Sequence, residues 1–404
     1  MFIIANITTT MLTKTPLLEA IDKKDFIKAK ELIDGGESLP EGMQEYNKRT
    51  VFETLVKGKA FDVLDALVKK GIIETDVYEY DKLEYSIFEI LFKNLSAEED
   101  SLQYLKDFIG RADNVNDEVA GQTLLSHAIN IWAAPEIVQA LIDAGLNTDF
   151  LDNAEDTLVI QAVRLNMIPK DRQLAYIDLL IKAGVDPAKT NIVQQNALHV
   201  AVERDKPHLL DILIGNGVQP NEQDNKGNSV FYYALAHKMD GEIYKKLAAA
   251  GLPDFSQQNR DHETALSEYL RMMSGSEKDA ALLEQLVDDG ADLENTAPYY
   301  SHPKSGWDWI IEKPIIVMQR LLEKTGRDVN QQDDEGNTLL HKICAINVNY
   351  SQEAAKDIYR KVKLLLELGA DPSITNTKDE TAMMLASGDN LKAKTVEILL
   401  AVKK

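Results

Sequence analysis

Apolar positions recur along the chain in pairs of short helical patterns, and residues 196–228 show one complete unit. Asn196 is a helix-capping residue, and the small apolar residues after it are spaced for one narrow face of a short first helix. A leucine-rich pattern over 209–214 predicts a second helix, which ends at Gly217 because glycine readily takes the left-handed conformation. The polar stretch NEQDNKG then predicts a tight turn. The pattern starts again at Ser229, a repeat of about 33 residues.

The same unit can be followed through most of the chain. Most of its starts carry Ser, Thr or Asn, whose side chains accept hydrogen bonds from the first N–H groups of a helix. The predicted starts are Thr15, Thr50, Ser86, Thr123, Thr157, Asn196, Ser229, Thr264, Trp307, Thr338 and Thr381. The predicted ends of second helices are Gly36, Gly71, Gly145, Gly184, Gly217, Gly251, Gly290, Gly326 and Gly369. We therefore predict an all-α solenoid of about eleven stacked helix pairs joined by hairpin-like turns.

The repeated units resemble ankyrin repeats. The resemblance is carried by GQTLLSHA at Gly121, NALHVA at Asn196, GNTLLHKI at Gly336 and ETAMMLA at Glu380, and by the endings LLELGADPS and LVDDGADLE. It covers residues 12–404. It implies an ankyrin-repeat solenoid that binds a partner protein along its concave side, which is formed by the turn tips and the exposed faces of the first helices.

The regularity of the pattern changes along the chain and suggests a division into five segments. Residues 1–11 are expected to be a disordered leader, with Met1 or Met11 as the start. Degenerate repeats follow over 12–118, regular repeats over 119–296, an atypical aromatic-rich repeat over 297–336, and the C-terminal repeats and cap over 337–404. Three longer steps place surplus residues in NMIPKDRQL, APYYSHPKSG and NVNYSQEAAKDIYR. We expect these insertions to form surface loops, because stacked helices cannot absorb extra residues.

Composition narrows the classes of partner and compartment. The net charge of −22 opposes binding to nucleic acid and to anionic lipid, and favours a protein partner with a neutral or basic surface. A single cysteine, Cys344, excludes an intramolecular disulfide framework. No apolar run approaches the roughly 18 residues of a membrane span, and the N-terminus is a poor secretory signal. We interpret the chain as a cytoplasmic monomer, and secretion into a host cell stays open.

No motif in the sequence predicts catalysis, a cofactor or a metal. His341 and Cys344 share one face of a predicted helix, but we interpret them as a turn-bonding histidine and a core thiol. The seven histidines are scattered, and no metal-binding or phosphate-binding motif is present. The sequence favours a non-catalytic scaffold. The alternatives are a regulatory or inhibitory subunit acting on an enzyme, an acidic decoy of nucleic acid, and an enzyme with its chemistry in the degenerate N-terminal third.

The predicted partner-binding residues fall into two groups. The family's concave surface corresponds here to turn-tip and first-helix positions: Asn225, Lys226, Asn228, Asp334, Glu335 and Asn337 in tips, and Glu203, Arg204, Arg271 and Met272 on helices. The second group is the aromatic segment YYSHPKSGWDW, with Tyr299, Tyr300, Trp307 and Trp309. Tyrosine and tryptophan are enriched in interface hot spots. The aromatic segment either fills a gap between units or contacts a partner, with Tyr299 and Tyr300 as the exposed pair.

Overall fold

The structure is a computed structural model that describes residues 15–300 and 302–402. The predicted leader, 1–11, and the choice between Met1 and Met11 lie outside the described residues. The chain divides into two compact units, Met1–Val218 (unit 1) and Gln219–Lys404 (unit 2), and each is described by itself. No helix of the described residues is long and apolar enough to cross a membrane.

Unit 1 is a succession of helix pairs. The described part of this unit contains six pairs, with a short 3₁₀ turn, Pro207–Leu209, preceding the last helix. Their bounds are α1 (Pro16–Asp22), α2 (Phe26–Asp34), α3 (Glu45–Lys57), α4 (Phe61–Lys69), α5 (Ile87–Asn94), α6 (Glu99–Ile109), α7 (Leu124–Asn130), α8 (Pro135–Asp143), α9 (Leu158–Arg164), α10 (Lys170–Lys182), α11 (Ala197–Glu203) and α12 (Leu210–Gly215). A further 3₁₀ turn, Val77–Glu79, lies between α4 and α5.

Unit 2 repeats the arrangement and adds one hairpin. Five helix pairs lie within its described residues. Their bounds are α13 (Val230–Tyr232), which continues as π-helical turns over Tyr233–Lys238, α14 (Gly241–Ala248), α15 (Ala265–Met272), α16 (Glu277–Asp288), α17 (Gly306–Ile310), α18 (Ile315–Thr325), α19 (Leu339–Ala345), α20 (Gln352–Glu367), α21 (Ala382–Ser387) and, after a 3₁₀ turn at Asn390–Lys392, α22 (Ala393–Ala401). The strands β1 (Thr296–Tyr299) and β2 (His302–Ser305) stand between α16 and α17.

Side-chain caps explain why most first helices begin at the predicted positions. At nine of the eleven predicted starts in the described chain, the Ser, Thr or Asn side chain accepts a hydrogen bond from a backbone N–H of the first turn. Thr50 is wrong, because it lies inside α3 and its hydroxyl donates to the Tyr46 carbonyl at 3.0 Å. Trp307 is also wrong as a start, because Ser305 caps α17 and Trp307 is the second residue of that helix.

The glycine prediction holds at eight of the nine predicted helix ends, where the glycine φ is positive. Gly251 is the exception, since its φ is not among the positive values of the described residues. There the N–H groups of Ala250 and Gly251 bond back to Leu247 and Ala248, so the helix ends in a tightened turn instead of a left-handed residue.

The prediction that the insertions form surface loops is wrong for two of the three. Most of NMIPKDRQL extends the start of α10, which begins at Lys170, and most of NVNYSQEAAKDIYR lengthens α20, which begins at Gln352. Both segments contain strong helix formers and an apolar side chain each turn, so extra helix buries more surface than a loop would. The third insertion forms the β1–β2 hairpin.

Candidate functional site

The hairpin of unit 2 presents two chemically different faces. β1 and β2 pair antiparallel, with Ala297 opposite Lys304 and Tyr299 opposite His302. Because side chains alternate between the faces of a strand, these four residues share one face. Pro298 and Pro303, opposite each other, lie on the other face. Proline lacks the N–H that would extend a β ladder, so the hairpin is poorly suited to accept a further strand.

Three aromatic rings meet where the hairpin contacts α17. The Tyr299 ring lies 4.7 Å from the Trp309 ring at 82°, and 4.7 Å from the Tyr300 ring at 78°. Lys304 Nζ lies 3.9 Å from the Trp309 ring centroid and donates to Glu312 Oε1 at 2.8 Å. We call Tyr299, Tyr300, Lys304, Trp309 and Glu312 the hairpin cluster. Tyr300 is 93% exposed and Trp309 only 6%, so the cluster runs from a buried base to an exposed tip.

Contacts within unit 2 fix the buried end of the hairpin cluster. Trp307 is 2% exposed, and the Arg327 guanidinium lies 5.1 Å from its ring centroid. Ser305 and Asp308 form a capping box that fixes the start of α17. Trp307 and Trp309 therefore fill the interior of unit 2, as one of the two interpretations of the aromatic segment expected.

A partly buried charge group joins α17 to the next repeat. Lys342 Nζ lies 2.6 Å from Asp308 Oδ1 and 2.9 Å from Asp333 Oδ2. Burial disfavours the charged form of Asp308, but hydrogen bonds from Lys342 and from the Ser305 N–H outweigh it and lower the pKa of the carboxyl. Burial likewise opposes the charge on Lys342, whose pKa the two carboxylates nevertheless raise.

The end of α15 also contributes to the candidate site that contains the hairpin cluster. Hydrogen bonds to Glu268 raise the pKa of the Arg271 guanidinium, and one of them joins Arg271 Nε to Glu268 Oε1 at 2.8 Å. Lys313 Nζ donates to the carbonyls of Arg271 and Met273 at 2.9 and 3.0 Å, and burial lowers its pKa. Met272 remains 53% exposed.

The hairpin also forms one side of a small cavity. This cavity of about 280 Å³ lies between the Ala297 and Lys304 face of the hairpin and the α15 side chains Leu266 and Leu270, and Trp309 forms part of its wall. Phe255, Ser256 and Asp292 also line it, so its lining combines apolar and polar side chains.

The predicted turn-tip residues occupy two similar tips of unit 2. In the first, Asp224 accepts the N–H groups of Lys226 and Asn228 at 2.8 and 2.9 Å, and Asn225 is half-buried. Lys226 is exposed, whereas Asn228 is only 5% exposed and its amide oxygen accepts from Asn259 Nδ2 at 3.2 Å. The expectation that Asn228 is exposed is wrong, because its side chain joins one tip to the next.

The second tip repeats this bonding with Asp333 as the acceptor. Asp333 accepts the N–H groups of Glu335 and Asn337 at 3.0 and 2.8 Å. Asn337 is half-buried and accepts from Asn376 Nδ2 at 3.0 Å. Asp334 and Glu335 are exposed, so this tip offers two carboxylates to solvent.

The remaining predicted residues, Glu203 and Arg204, belong to unit 1. Both are exposed where α11 ends. The other predicted residues belong to unit 2, and the hairpin cluster joins Tyr299, Tyr300 and Trp309 to Lys304 and Glu312, which sequence reasoning missed. Lys304 lies within the aromatic segment, but its position against Trp309 depends on how the two strands pair, which no local pattern of the sequence indicates.

The two residues weighed as a possible nucleophile pair have structural surroundings. His341 Nδ1 lies 2.8 Å from the Thr338 hydroxyl, and its Nε2 lies 3.1 Å from the Glu380 carbonyl oxygen in the next tip. Burial raises the pKa of the Cys344 thiol to about 12. Among the described residues, no group of three or more His, Cys, Asp or Glu side chains is placed to hold a metal ion.

Short helix pairs with hydroxyl or amide caps, joined by carboxylate-bonded tips, define a helical repeat protein. A family model described as ankyrin repeats (many copies) matches residues 198–248. The resemblance to ankyrin repeats is confirmed, and so is the predicted fold class, an all-α ankyrin-repeat solenoid.

The curated proteins that are similar to this chain include two B-cell lymphoma 3 proteins. The chain is 26% identical over 247 residues to the B-cell lymphoma 3 protein homolog of Mus musculus, covering 60% of this chain and 50% of that protein. It is 25% identical over 237 residues to the B-cell lymphoma 3 protein of Homo sapiens, covering 58% and 48%. It thus spans about half the length of these curated relatives. The solved ankyrin repeat domain of Bcl-3 is 22% identical, with a TM-score of 0.47, over 61% of this chain and 99% of that one.

Proposed function

We propose that this chain is a non-catalytic, cytoplasmic protein-binding scaffold, and that the hairpin cluster of unit 2 is a principal contact with its partner. The observation that carries the proposal is the Tyr300 ring, which is 93% exposed and lies against Tyr299, itself packed on the buried Trp309. An exposed aromatic ring on a rigid support loses little entropy on binding and contributes a large contact area.

The neighbouring side chains extend this contact surface. Met272 is 53% exposed at the end of α15, and Arg271 lies beside it, held by Glu268. A flexible, apolar Met next to an ordered Arg and two tyrosines is a composition enriched at protein interfaces. The two facing prolines of the hairpin favour contact through side chains over the addition of a partner strand.

Charge supports a partner with a basic surface. The exposed tip residues Asp334 and Glu335 add to a chain whose net charge is −22. Carboxylates at the edge of an interface mainly speed association and oppose acidic partners. We propose that Asp334, Glu335 and the exposed Lys226 are peripheral contacts, and that the chain acts as a monomer.

The proposal is tested by comparing the wild-type chain with the double variant Tyr299→Ala/Tyr300→Ala. The full chain is used to capture proteins from the source cells, and each captured protein is then purified and its Kd measured. Loss of two hot-spot rings is expected to raise Kd at least 30-fold. The matched control is Tyr46→Ala in unit 1, since Tyr46 is 78% exposed and outside the proposed surface. Equal Kd values for the double variant and the wild type, with both chains folded, would contradict the proposal.

A further inference from the structure

The ammonium group of Lys304 occupies a box of aromatic and acidic groups. Its Nζ lies 3.9 Å from the Trp309 ring centroid and 5.1 Å from the Tyr299 ring centroid. Glu312 Oε1 accepts from the same nitrogen at 2.8 Å. Aromatic faces attract cations through their ring quadrupole, and a carboxylate neutralises the charge, so this is the chemistry with which proteins bind alkylammonium groups.

Two of the three walls of the box, Trp309 and Glu312, are held by α17 and not by the Lys304 side chain. Trp309 is 6% exposed and lies on α17, whose start is held by the capping box of Ser305 and Asp308. Glu312 follows the same helix, and its N–H bonds to the Trp309 carbonyl at 3.1 Å. Because these groups are anchored by α17, we expect the box to keep its shape when the Lys304 side chain leaves it.

The box is open to solvent on the side of its occupant. The side chain of Lys304 is 24% exposed and that of Glu312 is 46% exposed. Among the described residues, the polar partner of Lys304 Nζ is Glu312, and a partly exposed ion pair of this kind holds its members weakly. Lys304 can therefore swing into water without leaving a buried charge unpaired.

The cavity beneath the hairpin gives an incoming side chain room beside the box. It measures about 280 Å³, and Lys304 and Trp309 form part of its wall. Its lining includes Leu266 and Leu270, which suit the methylene stem of a lysine. The cavity and the box together match a side chain with an apolar stem and a cationic end.

We infer that the Tyr299, Trp309 and Glu312 box is an alkylammonium-binding site, which Lys304 fills in the free chain and which a lysine of the partner takes over on binding. The inference rests on the proposed function, because it names the chemistry that the hairpin cluster recognises. Lys304 acts as an internal competitor, so the affinity of the site depends on how easily its side chain is displaced.

The test measures the binding of short peptides by titration calorimetry. The probes are one peptide carrying a single lysine, the same peptide with trimethyllysine, and the same peptide with norleucine, which has the stem without the charge. The full-length Lys304→Ala chain is expected to bind at least one cationic peptide at least tenfold more tightly than the wild-type chain does. The same variant is expected to bind the norleucine peptide at least tenfold more weakly than it binds this cationic peptide. Preference between lysine and trimethyllysine identifies which form of the ammonium group the site takes.

Two further variants test whether the residues of the box bind a cation or only stabilise the hairpin. Adding Glu312→Gln to Lys304→Ala is expected to remove the gain in affinity, and Lys278→Ala, which removes an exposed lysine of α16, is expected to leave the wild-type affinity unchanged. If the Lys304→Ala chain melts below the wild type, Lys304→Gln replaces it in the titrations. The inference is overturned if neither Lys304 variant binds a cationic peptide more tightly than the wild type, or if norleucine binds as tightly as the best cationic peptide.

The two proposals fail in different ways. If the peptides show no alkylammonium binding while the Tyr299→Ala/Tyr300→Ala chain still loses its partner, the contact surface stands and the cation site falls. If the partner binds the Tyr299→Ala/Tyr300→Ala chain as tightly as the wild type while Lys304→Ala gains affinity for a cationic peptide, the box binds cations but is not the partner contact.

Discussion

Replacing Lys342 with Met is expected to destabilise unit 2 by about 2–4 kcal/mol. Lys342 Nζ contacts Asp308 Oδ1 at 2.6 Å and Asp333 Oδ2 at 2.9 Å, and the three side chains are 18%, 19% and 32% exposed. Removing one partner of a fully buried ion pair costs about 3–5 kcal/mol. The residual exposure here lowers that figure, and Asp308 keeps the hydrogen bonds from the N–H and hydroxyl of Ser305, both at 2.8 Å.

A double-mutant cycle isolates the interaction between Lys342 and Asp308. The single variants are Lys342→Met and Asp308→Asn, because Asn keeps an oxygen that can accept from Ser305. The expected coupling is about 1–2 kcal/mol at pH 7. The matched control is the surface pair of Lys324 and Asp288, at 2.5 Å with side chains 34% and 52% exposed, where the coupling is expected to stay below about 0.5 kcal/mol.

The pH dependence of the Lys342–Asp308 coupling follows from the two pKa shifts. The pKa of Asp308 is lowered, so its contribution is present above the ordinary aspartate pKa of about 3.9 and is lost as the pH falls below it. The pKa of Lys342 is raised, so its contribution is complete below the ordinary lysine pKa of about 10.4 and is lost at higher pH. The coupling is therefore expected to be constant between about pH 5 and pH 9.

The assay is urea unfolding followed by tryptophan fluorescence. Trp307 and Trp309 both lie in unit 2, and Trp132 of unit 1 is replaced with Phe in every chain so that the signal reports on the unit that carries the charge group. Near-ultraviolet circular dichroism checks that each variant keeps its native packing. A coupling no larger than that of the control pair, or one that changes between pH 5 and pH 9, would refute the reasoning.

Three further predictions concern caps, tips and the single thiol. Thr123→Ala is expected to lower the free energy of unfolding by about 1 kcal/mol because Thr123 forms a capping box, and Thr50→Ala, inside α3, to change it by less than about 0.5 kcal/mol; equal losses in urea unfolding would contradict this. Gly336→Ala is expected to cost about 2–4 kcal/mol, since φ is +77° and the added Cβ would lie 2.9 Å from the Thr377 nitrogen; thermal unfolding measures it, and a loss below about 1 kcal/mol would argue against it. Cys344 is buried and its pKa is raised to about 12, so a thiol reagent is expected to modify it only in urea, and rapid labelling of the native chain would be inconsistent with its burial.

Helix starts could be predicted where the signal is local. Thr123 and Asn196 cap their helices through bonds to N–H groups two or three residues away, so a few neighbouring residues suffice to identify them. Thr50 failed because a threonine inside a helix can satisfy its hydroxyl with the carbonyl four residues earlier, and α3 continues on both sides of it. The pattern alone does not separate these two uses of threonine.

The insertions were misread because their length was given more weight than their helix propensity. The segment that extends α20 contains Gln, Glu, Ala and Lys, which favour helix, and the apolar residues Ala355, Ile358 and Val362 are buried at helical spacing. Because the added turns bury these apolar side chains, helix is favoured there over a loop. The hairpin insertion differs, since Pro298 and Pro303 exclude helix and favour short extended segments.

The two interpretations of the aromatic segment turn out to concern different residues. Trp307 and Trp309 lie on α17 and are buried, whereas Tyr300 lies at the hairpin turn with φ +48° and is 93% exposed. The sequence contains both types of residue but not the register that places Lys304 against Trp309, because that contact depends on how two strands pair. The regular repeats, by contrast, could be predicted from local bonds alone. The residues best predicted from sequence are therefore those that build the stack, and those that would give it specificity lie where local patterns stop deciding the structure.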